Sequence, residues 1–216
     1  MKHKHTHYIY ASFAFLLFVA LGYMVKFYPE ALTGFDSNIQ TWVRGDLPGG
    51  LTAFFKMITT LGNTSVQAVI AILAVIWLYL RQYKAEAIFV GTSGVLASIM
   101  IMSLKYIYQR PRPSITHLVH AGGYSFPSGH SLGTFMILGA IAIVITQRLV
   151  KKAAKTAVYG ITGLLIFLVG LSRIYVGVHY PTDVLAGFTL AFGLLNAIYP
   201  TYDRIRFEWR FQSKQK

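Results

Sequence analysis

The chain contains no cysteine, which excludes disulfide frameworks, cysteine-ligated zinc, iron–sulfur clusters and any thiolate nucleophile. Acidic residues are scarce as well: seven Asp and Glu stand against twenty Lys and Arg in 216 residues, a formal charge of +13. Charged residues of both signs amount to 12%, against roughly a quarter in soluble domains. With 55% hydrophobic residues, the composition points away from a soluble fold. Internal repeats, low-complexity tracts and linkers are also missing, so residues 1–216 are expected to form a single membrane-embedded domain.

A bilayer-spanning helix takes roughly 17–25 mostly apolar residues, because only helices or closed barrels satisfy their backbone polar groups in hydrocarbon. Six stretches fit or nearly fit, at 8–27, 65–80, 85–105, 131–147, 153–172 and 182–199. The second and fourth are short and are expected to be lengthened by 51–64 and 127–130. The expected fold is therefore all-α, a polytopic membrane protein with a bundle of six transmembrane helices. The first span follows Lys2 and Lys4 as a signal peptide would, but its apolar run is too long and no small-residue cleavage site follows, so it reads as uncleaved. Gly91, Gly94, Gly133, Gly139, Gly160, Gly163, Gly187 and Gly193 lie within spans and read as helix-contact positions.

Lys2, Lys4, Arg81, Lys84, Arg148, Lys151, Lys152, Lys155, Arg204, Arg206, Arg210, Lys214 and Lys216 all fall on one side of these spans, which the positive-inside rule makes cytoplasmic. Most of the positive charge is then topology signal and attraction to anionic membrane lipids, and no nucleic acid partner is expected. On the other side, residues 36–44 follow Asp36, a possible N-cap, with Phe35, Ile39, Trp42 and Val43 at helical spacing; they read as a short amphipathic helix on the membrane surface.

Ionisable groups converge on that outer side. A loop of about twenty residues, long for a structureless connection, opens after Lys105 with Arg110-Pro111-Arg112-Pro113, each proline pushing the preceding arginine out of helical conformation. It closes with Pro127-Ser128-Gly129-His130 directly before the fourth span. A helix start of this kind presents N–H groups and partial positive charge to an anion, although Ser128 alone could be an ordinary N-cap. The next outer loop runs from Arg173 to Asp183, with His179 four residues before Asp183. A carboxylate at that spacing can fix the histidine tautomer so that the other ring nitrogen acts as nucleophile; Asp183 could equally cap the sixth span. Three cations, a helix start, two histidines and a carboxylate on one face suit the charge that spreads over a phosphoryl group during transfer.

Lys105 with Arg112-Pro113, then Pro127-Ser128-Gly129-His130, then Ser172-Arg173 with His179 and Asp183, in this order and in outer loops, resemble the three-part signature of the type 2 phosphatidic acid phosphatase superfamily. The resemblance implies a six-helix core and a lipid phosphate phosphatase that needs no metal or other cofactor and works at the outer face of the cytoplasmic membrane. It implies that His179 attacks phosphorus and forms a phosphohistidine, that Asp183 orients His179, and that His130 protonates the leaving oxygen and then activates water. Lys105, Arg112, Ser128, Gly129 and Arg173 are implied to hold the phosphate oxygens.

The implied partner is a lipid phosphate, with phosphatidylglycerophosphate or undecaprenyl pyrophosphate ahead of phosphatidic acid; no obligate protein partner is evident. The outer acidic residues Glu30, Asp36, Asp46 and Asp183 are scattered in sequence, unlike the carboxylate cluster of a two-metal phosphatase. His117 and His120 have metal-like spacing without a nearby carboxylate, and His3, His5 and His7 alternate in a basic tail; neither set is read as a functional metal site. The rival function is a lipid transporter or flippase using the same basic site without hydrolysis. Transporters usually carry midplane sites in repeated, broken helices, whereas these charges lie at span ends.

Overall fold

Apolar runs dictate the architecture. The computed structural model describes residues 4–212 and Gln215, so Lys2, His3, Lys214 and Lys216 lie outside the described residues. Its regular structure is helical: α1 (Lys4–Phe27), α2 (Pro29–Arg44), α3 (Gly49–Thr60), α4 (Thr64–Leu80), α5 (Lys84–Tyr108), α6 (Gly129–Thr146), α7 (Lys152–Tyr175) and α8 (Pro181–Phe211). Five of these, α1, α5, α6, α7 and α8, are long and apolar enough to cross a membrane. The pair α3 and α4, bent by 49°, passes the same test together, giving five to six candidate spans. Exposed apolar side chains such as Phe13, Leu16, Leu73 and Met102 coat the outside, as lipid-facing helices require. This is an integral membrane protein.

α6 is the central helix, packed against α4, α5, α7 and α8. Leu132, Met136, Ala140 and Val144 recur every fourth residue along it and are buried, forming a ridge that meets Val90 and Ala97 of α5 and Ala186, Leu190 and Leu194 of α8 in one cluster. α1 lies along α8. Close approach of α8 to the start of α6 depends on Gly187, where a Cβ would lie 2.9 Å from the Ser128 carbonyl oxygen and 3.0 Å from Ser131 Cβ. Gly133, Gly139 and Gly193 are similarly crowded, as expected of contact positions. Gly160 and Gly163 are not: both are exposed, with no atom within 4 Å of where a Cβ would stand.

The structure changes several expected boundaries. The second span is lengthened by residues 51–60, but as a separate helix, because Leu61, Gly62 and Asn63 donate to carbonyls three residues back and Asn63 turns extended. The fourth gains only Gly129 and His130, since Ser128 is the extended N-cap of α6. α8 runs twelve residues past the expected end at 199, through Pro200. Its basic end is held by Glu86, fully buried at the start of α5: Glu86 Oε1 lies 2.9 Å from Arg148, 3.4 Å from Arg206 and 3.2 Å from Arg210. These three arginines, read as topology charge, form an internal ion cluster as well.

The amphipathic segment also differs. α2 begins at Pro29, so Asp36 lies mid-helix and is no N-cap. Its buried stripe is Leu32, Asp36 and Gln40, whereas Phe35 and Trp42 are exposed. The face turned to the protein is thus largely polar.

Candidate active site

The C-terminal ends of α5 and α7 and the N-terminal ends of α6 and α8 bring the motif residues to one end of the bundle. α5 terminates when Gln109 adopts a left-handed conformation (φ 50°) and its N–H returns to the Lys105 carbonyl. Lys105 therefore stands in the last turn, half-buried. The loop that follows is closed at its base by Ser125, whose N–H donates to the Arg110 carbonyl at 2.9 Å and whose hydroxyl donates to the Pro111 carbonyl at 2.9 Å.

Arg112 is held by backbone oxygens. Its guanidinium donates to the carbonyls of Gly122 (2.8 Å), Gly123 (3.1 Å) and Val178 (2.7 Å), and Nη1 lies 3.3 Å from Nε2 of His179. Burial pulls this guanidinium below its ordinary value, against the opposing pull of the Asp183 charge. His117 Nε2 lies 2.8 Å from the Pro113 carbonyl, a contact within the same loop.

His179 is 1% exposed. Its Nδ1 lies 3.3 Å from Asp183 Oδ2, so the proton resides on Nδ1 and the Nε2 lone pair points at Arg112. Burial pushes the imidazole down to about 4, against the pull of the Asp183 hydrogen bond. At neutral pH the ring is uncharged and Nε2 is a competent nucleophile.

Asp183 is not the N-cap of α8. Tyr180 is, and Asp183 Oδ2 accepts from the Tyr180 N–H at 3.0 Å. The other oxygen, Oδ1, accepts from Arg110 Nη1 at 2.6 Å, and Arg110 reaches on through Nη2 to Asp36 Oδ2 at 2.8 Å. Asp36 in turn accepts from the N–H (3.0 Å) and hydroxyl (2.8 Å) of Thr182. Arg110 also donates to the Thr182 hydroxyl at 2.7 Å and lies over the Tyr180 ring at 4.0 Å. Asp36 and Asp183, scattered in sequence, are therefore clamped by one arginine that sequence reasoning left without a role. The one available signal was the paired Arg-Pro, which offers two arginines and does not say which takes the carboxylates.

At the start of α6, Ser128 is fully buried; its Oγ accepts from the Ser131 N–H (3.4 Å) and hydroxyl (2.9 Å), the capping role. Its own N–H is spent on the Asp183 carbonyl at 3.0 Å, which ties the two motif loops together. That removes Ser128 N–H as a phosphate donor and leaves its hydroxyl proton, with the N–H groups of Gly129 and His130, which have no earlier turn to bond to. Arg173, 4% exposed at the end of α7, donates through Nη1 to Thr59 Oγ1 at 2.6 Å, while its buried Nε has no partner. His130 Nε2 lies 3.1 Å from Asn63 Oδ1. Lys105, Arg112, Arg173, His130 and His179 are close enough for their charges to interact. None of Lys105, Arg112 and Arg173 forms an ion pair among the described residues. Such an arrangement is suited to an anion, with the His179 Nε2 lone pair beside one of its cations.

The chain is similar to known proteins. Residues 85–207 match the family model described as the PAP2 superfamily. Phosphatidylglycerophosphatase B of Bacillus subtilis is 42% identical over 106 residues, covering 49% of each chain. Undecaprenyl-diphosphatase BcrC of the same organism is 32% identical over 133 residues, 59% of this chain and 64% of that protein. The chain thus matches about half to two thirds of the length of these relatives. A crystal structure of a transmembrane PAP2-type phosphatidylglycerolphosphate phosphatase from B. subtilis superposes with a TM-score of 0.83 at 28% identity, over 90% of this chain and 96% of that one. With the family model spanning α5 to α8, the helices whose ends supply every motif residue, the chain belongs to the PAP2 superfamily.

Proposed function

We propose that this chain is a single-domain, integral membrane lipid phosphate phosphatase that works without a metal ion, through a phosphohistidine. The observation that carries the reading is the set of three neighbouring cations, Lys105, Arg112 and Arg173, that form no ion pair among the described residues, with Arg112 Nη1 3.3 Å from the Nε2 of His179. A phosphate dianion supplies the charge that this end of the bundle lacks.

In the proposed reaction the phosphate oxygens are held by Lys105, Arg112, Arg173, the Ser128 hydroxyl and the N–H groups at the start of α6. His179 Nε2 attacks phosphorus, and the imidazolium that results is stabilised by Asp183 across Nδ1–H. As the bond from phosphorus to the lipid oxygen breaks, protonated His130 gives that oxygen a proton. Neutral His130 then takes a proton from a water that attacks the phosphohistidine, which releases phosphate and restores both histidines. The cations act on charge as it spreads over the equatorial oxygens.

The site is proposed to face the outside of the cytoplasmic membrane. Arg81, Lys84, Arg148, Lys151, Lys152 and Lys155 cluster at the other end of the helices, and the bent α3–α4 pair is taken as the sixth span. Phosphatidylglycerophosphate and undecaprenyl pyrophosphate are the first candidate substrates, a reading supported by the likeness to phosphatidylglycerophosphatase B and undecaprenyl-diphosphatase BcrC, with phosphatidic acid next. The test is phosphate release by purified protein from a panel of lipid phosphates, in detergent and in bilayers, beside His179→Ala. Release from at least one lipid that is lost in the variant is expected. Translocation of a labelled lipid phosphate without release would instead make the protein a transporter.

A further inference from the structure

Asn63 occupies the N-cap position of α4 with the extended backbone that position needs (φ −63°, ψ 138°), yet its side chain makes no bond to its own helix. Asparagine is among the strongest capping residues, so the diversion calls for another use of the amide. Its Oδ1 lies 3.1 Å from His130 Nε2. Gly62, next to it, lets the ring lie against the break between α3 and α4: a Cβ there would be 2.5 Å from His130 Cδ2 and 2.8 Å from Val169 Cγ1. One turn back, Thr59 accepts from Arg173 at 2.6 Å. One turn on, buried Gln67 donates to Thr134 Oγ1 at 2.8 Å and to the His130 carbonyl at 3.4 Å. Thr59, Asn63 and Gln67, at intervals of four across the bent α3–α4 pair, where polar groups at membrane depth are costly, all reach the proposed site or the helix turn that carries it.

We infer that the break between α3 and α4 positions the proton donor, and that Asn63 does so by accepting from Nε2–H of His130. The inference rests on His130 being the general acid. With Nε2–H committed to Asn63, the proton passed to the leaving oxygen comes from Nδ1, and Nδ1 later takes the proton of the attacking water; Nε2 keeps its proton throughout, and the two transfers balance. The amide oxygen also stabilises the protonated ring before transfer. Asn63 is a positioning residue, because it acts on substrate only through His130.

The test compares Asn63→Leu, which keeps size and loses the acceptor, with Asn63→Asp, which keeps an oxygen, on phosphatidic acid and on an activated aryl phosphate. A lipid alkoxide needs protonation and an aryl oxide needs far less, so Asn63→Leu should lose about 10–100-fold in kcat on the lipid and under about 3-fold on the aryl ester, with KM little changed. Asn63→Asp should keep most of the lipid activity. Asn63→Leu combined with His130→Ala should be no worse than His130→Ala alone. Equal losses on both substrates, or full additivity with His130→Ala, overturn the inference. His130→Ala assayed alongside separates the two readings: if it lacks the leaving-group dependence, the assignment of His130 itself fails, and if it has the dependence while Asn63→Leu does not, only the role of Asn63 fails. Melting temperatures in detergent report folding, and Asn63→Ala replaces the leucine variant if that one does not fold.

Discussion

Replacing Arg110 by methionine removes one side chain and leaves two carboxylates, Asp36 at 2% and Asp183 at 0% exposure, without their shared counter-ion. The loss comprises two charge-assisted bonds of 2.6 and 2.8 Å and a bond to Thr182 of 2.7 Å. Breaking a buried ion pair from one side typically costs about 3–5 kcal/mol, because the remaining charge stays out of water; here two are stranded, so the upper end is expected. Asp36→Asn in the same chain removes one stranded charge and keeps an acceptor for the Thr182 N–H. The double variant should therefore be more stable than the sum of the single effects by about 1–3 kcal/mol. Arg110→Lys should recover only part, since one ammonium cannot fork between two carboxylates. The assay is reversible unfolding in mixed detergent and dodecyl sulfate micelles, with aryl phosphatase activity followed in parallel. A methionine variant within about 1 kcal/mol of wild type, or an additive double variant, would refute the clamp.

The pH dependence of stability follows from His179. Because burial holds it near 4 against an ordinary 6.5, the unfolded chain binds the extra proton and stability falls as pH drops from 6.5 towards 4, by about 2 kcal/mol at pH 5; His179→Gln should flatten that slope in melting curves, and an unchanged slope would contradict it. Phosphatase activity should survive excess EDTA and be inhibited by vanadate, and a loss on chelation that Mg²⁺ restores would defeat the metal-free reaction. Gly122 is exposed, with no atom within 4 Å of where a Cβ would stand. Gly122→Cys in this cysteine-free chain should therefore react with an impermeant thiol reagent on intact cells and Lys152→Cys should not, the reverse pattern overturning the orientation.

Helix positions were legible wherever apolar length alone decides them. The cores of α1, α5, α6, α7 and α8 fall where hydropathy puts them, because burying a backbone in hydrocarbon leaves few alternatives. Ends were less legible. α8 continues to Phe211 through Pro200 because its basic end docks on Glu86, more than a hundred residues earlier in sequence, and no local pattern announces such a partner. The break at Gly62 and Asn63 could have been suspected from a glycine and a capping residue in succession. That it serves His130 could not, since the contact joins residues 67 positions apart.

The motif residues were legible as residue types, while their division of labour was not. Arg110 and Arg112 are two positions apart and each precedes a proline, so the chain is extended through both. Alternation in an extended segment sends neighbours two apart to the same side, yet here one arginine turns to Asp36 and Asp183 and the other to the Val178 carbonyl and His179. The fold makes this choice through α2, whose buried polar stripe delivers Asp36 to the clamp, and a stripe of Leu32, Asp36 and Gln40 reads as solvent-facing in sequence. The consequence is electrostatic. With Arg110 spent on carboxylates, Lys105, Arg112 and Arg173 remain, and with His130 still neutral four cations face two carboxylates, an excess of two positive charges. A phosphate monoester dianion cancels that excess and a monoanion does not, so binding should weaken as pH falls through the second phosphate ionisation near about 6, a rise in KM that is separable from any effect on kcat.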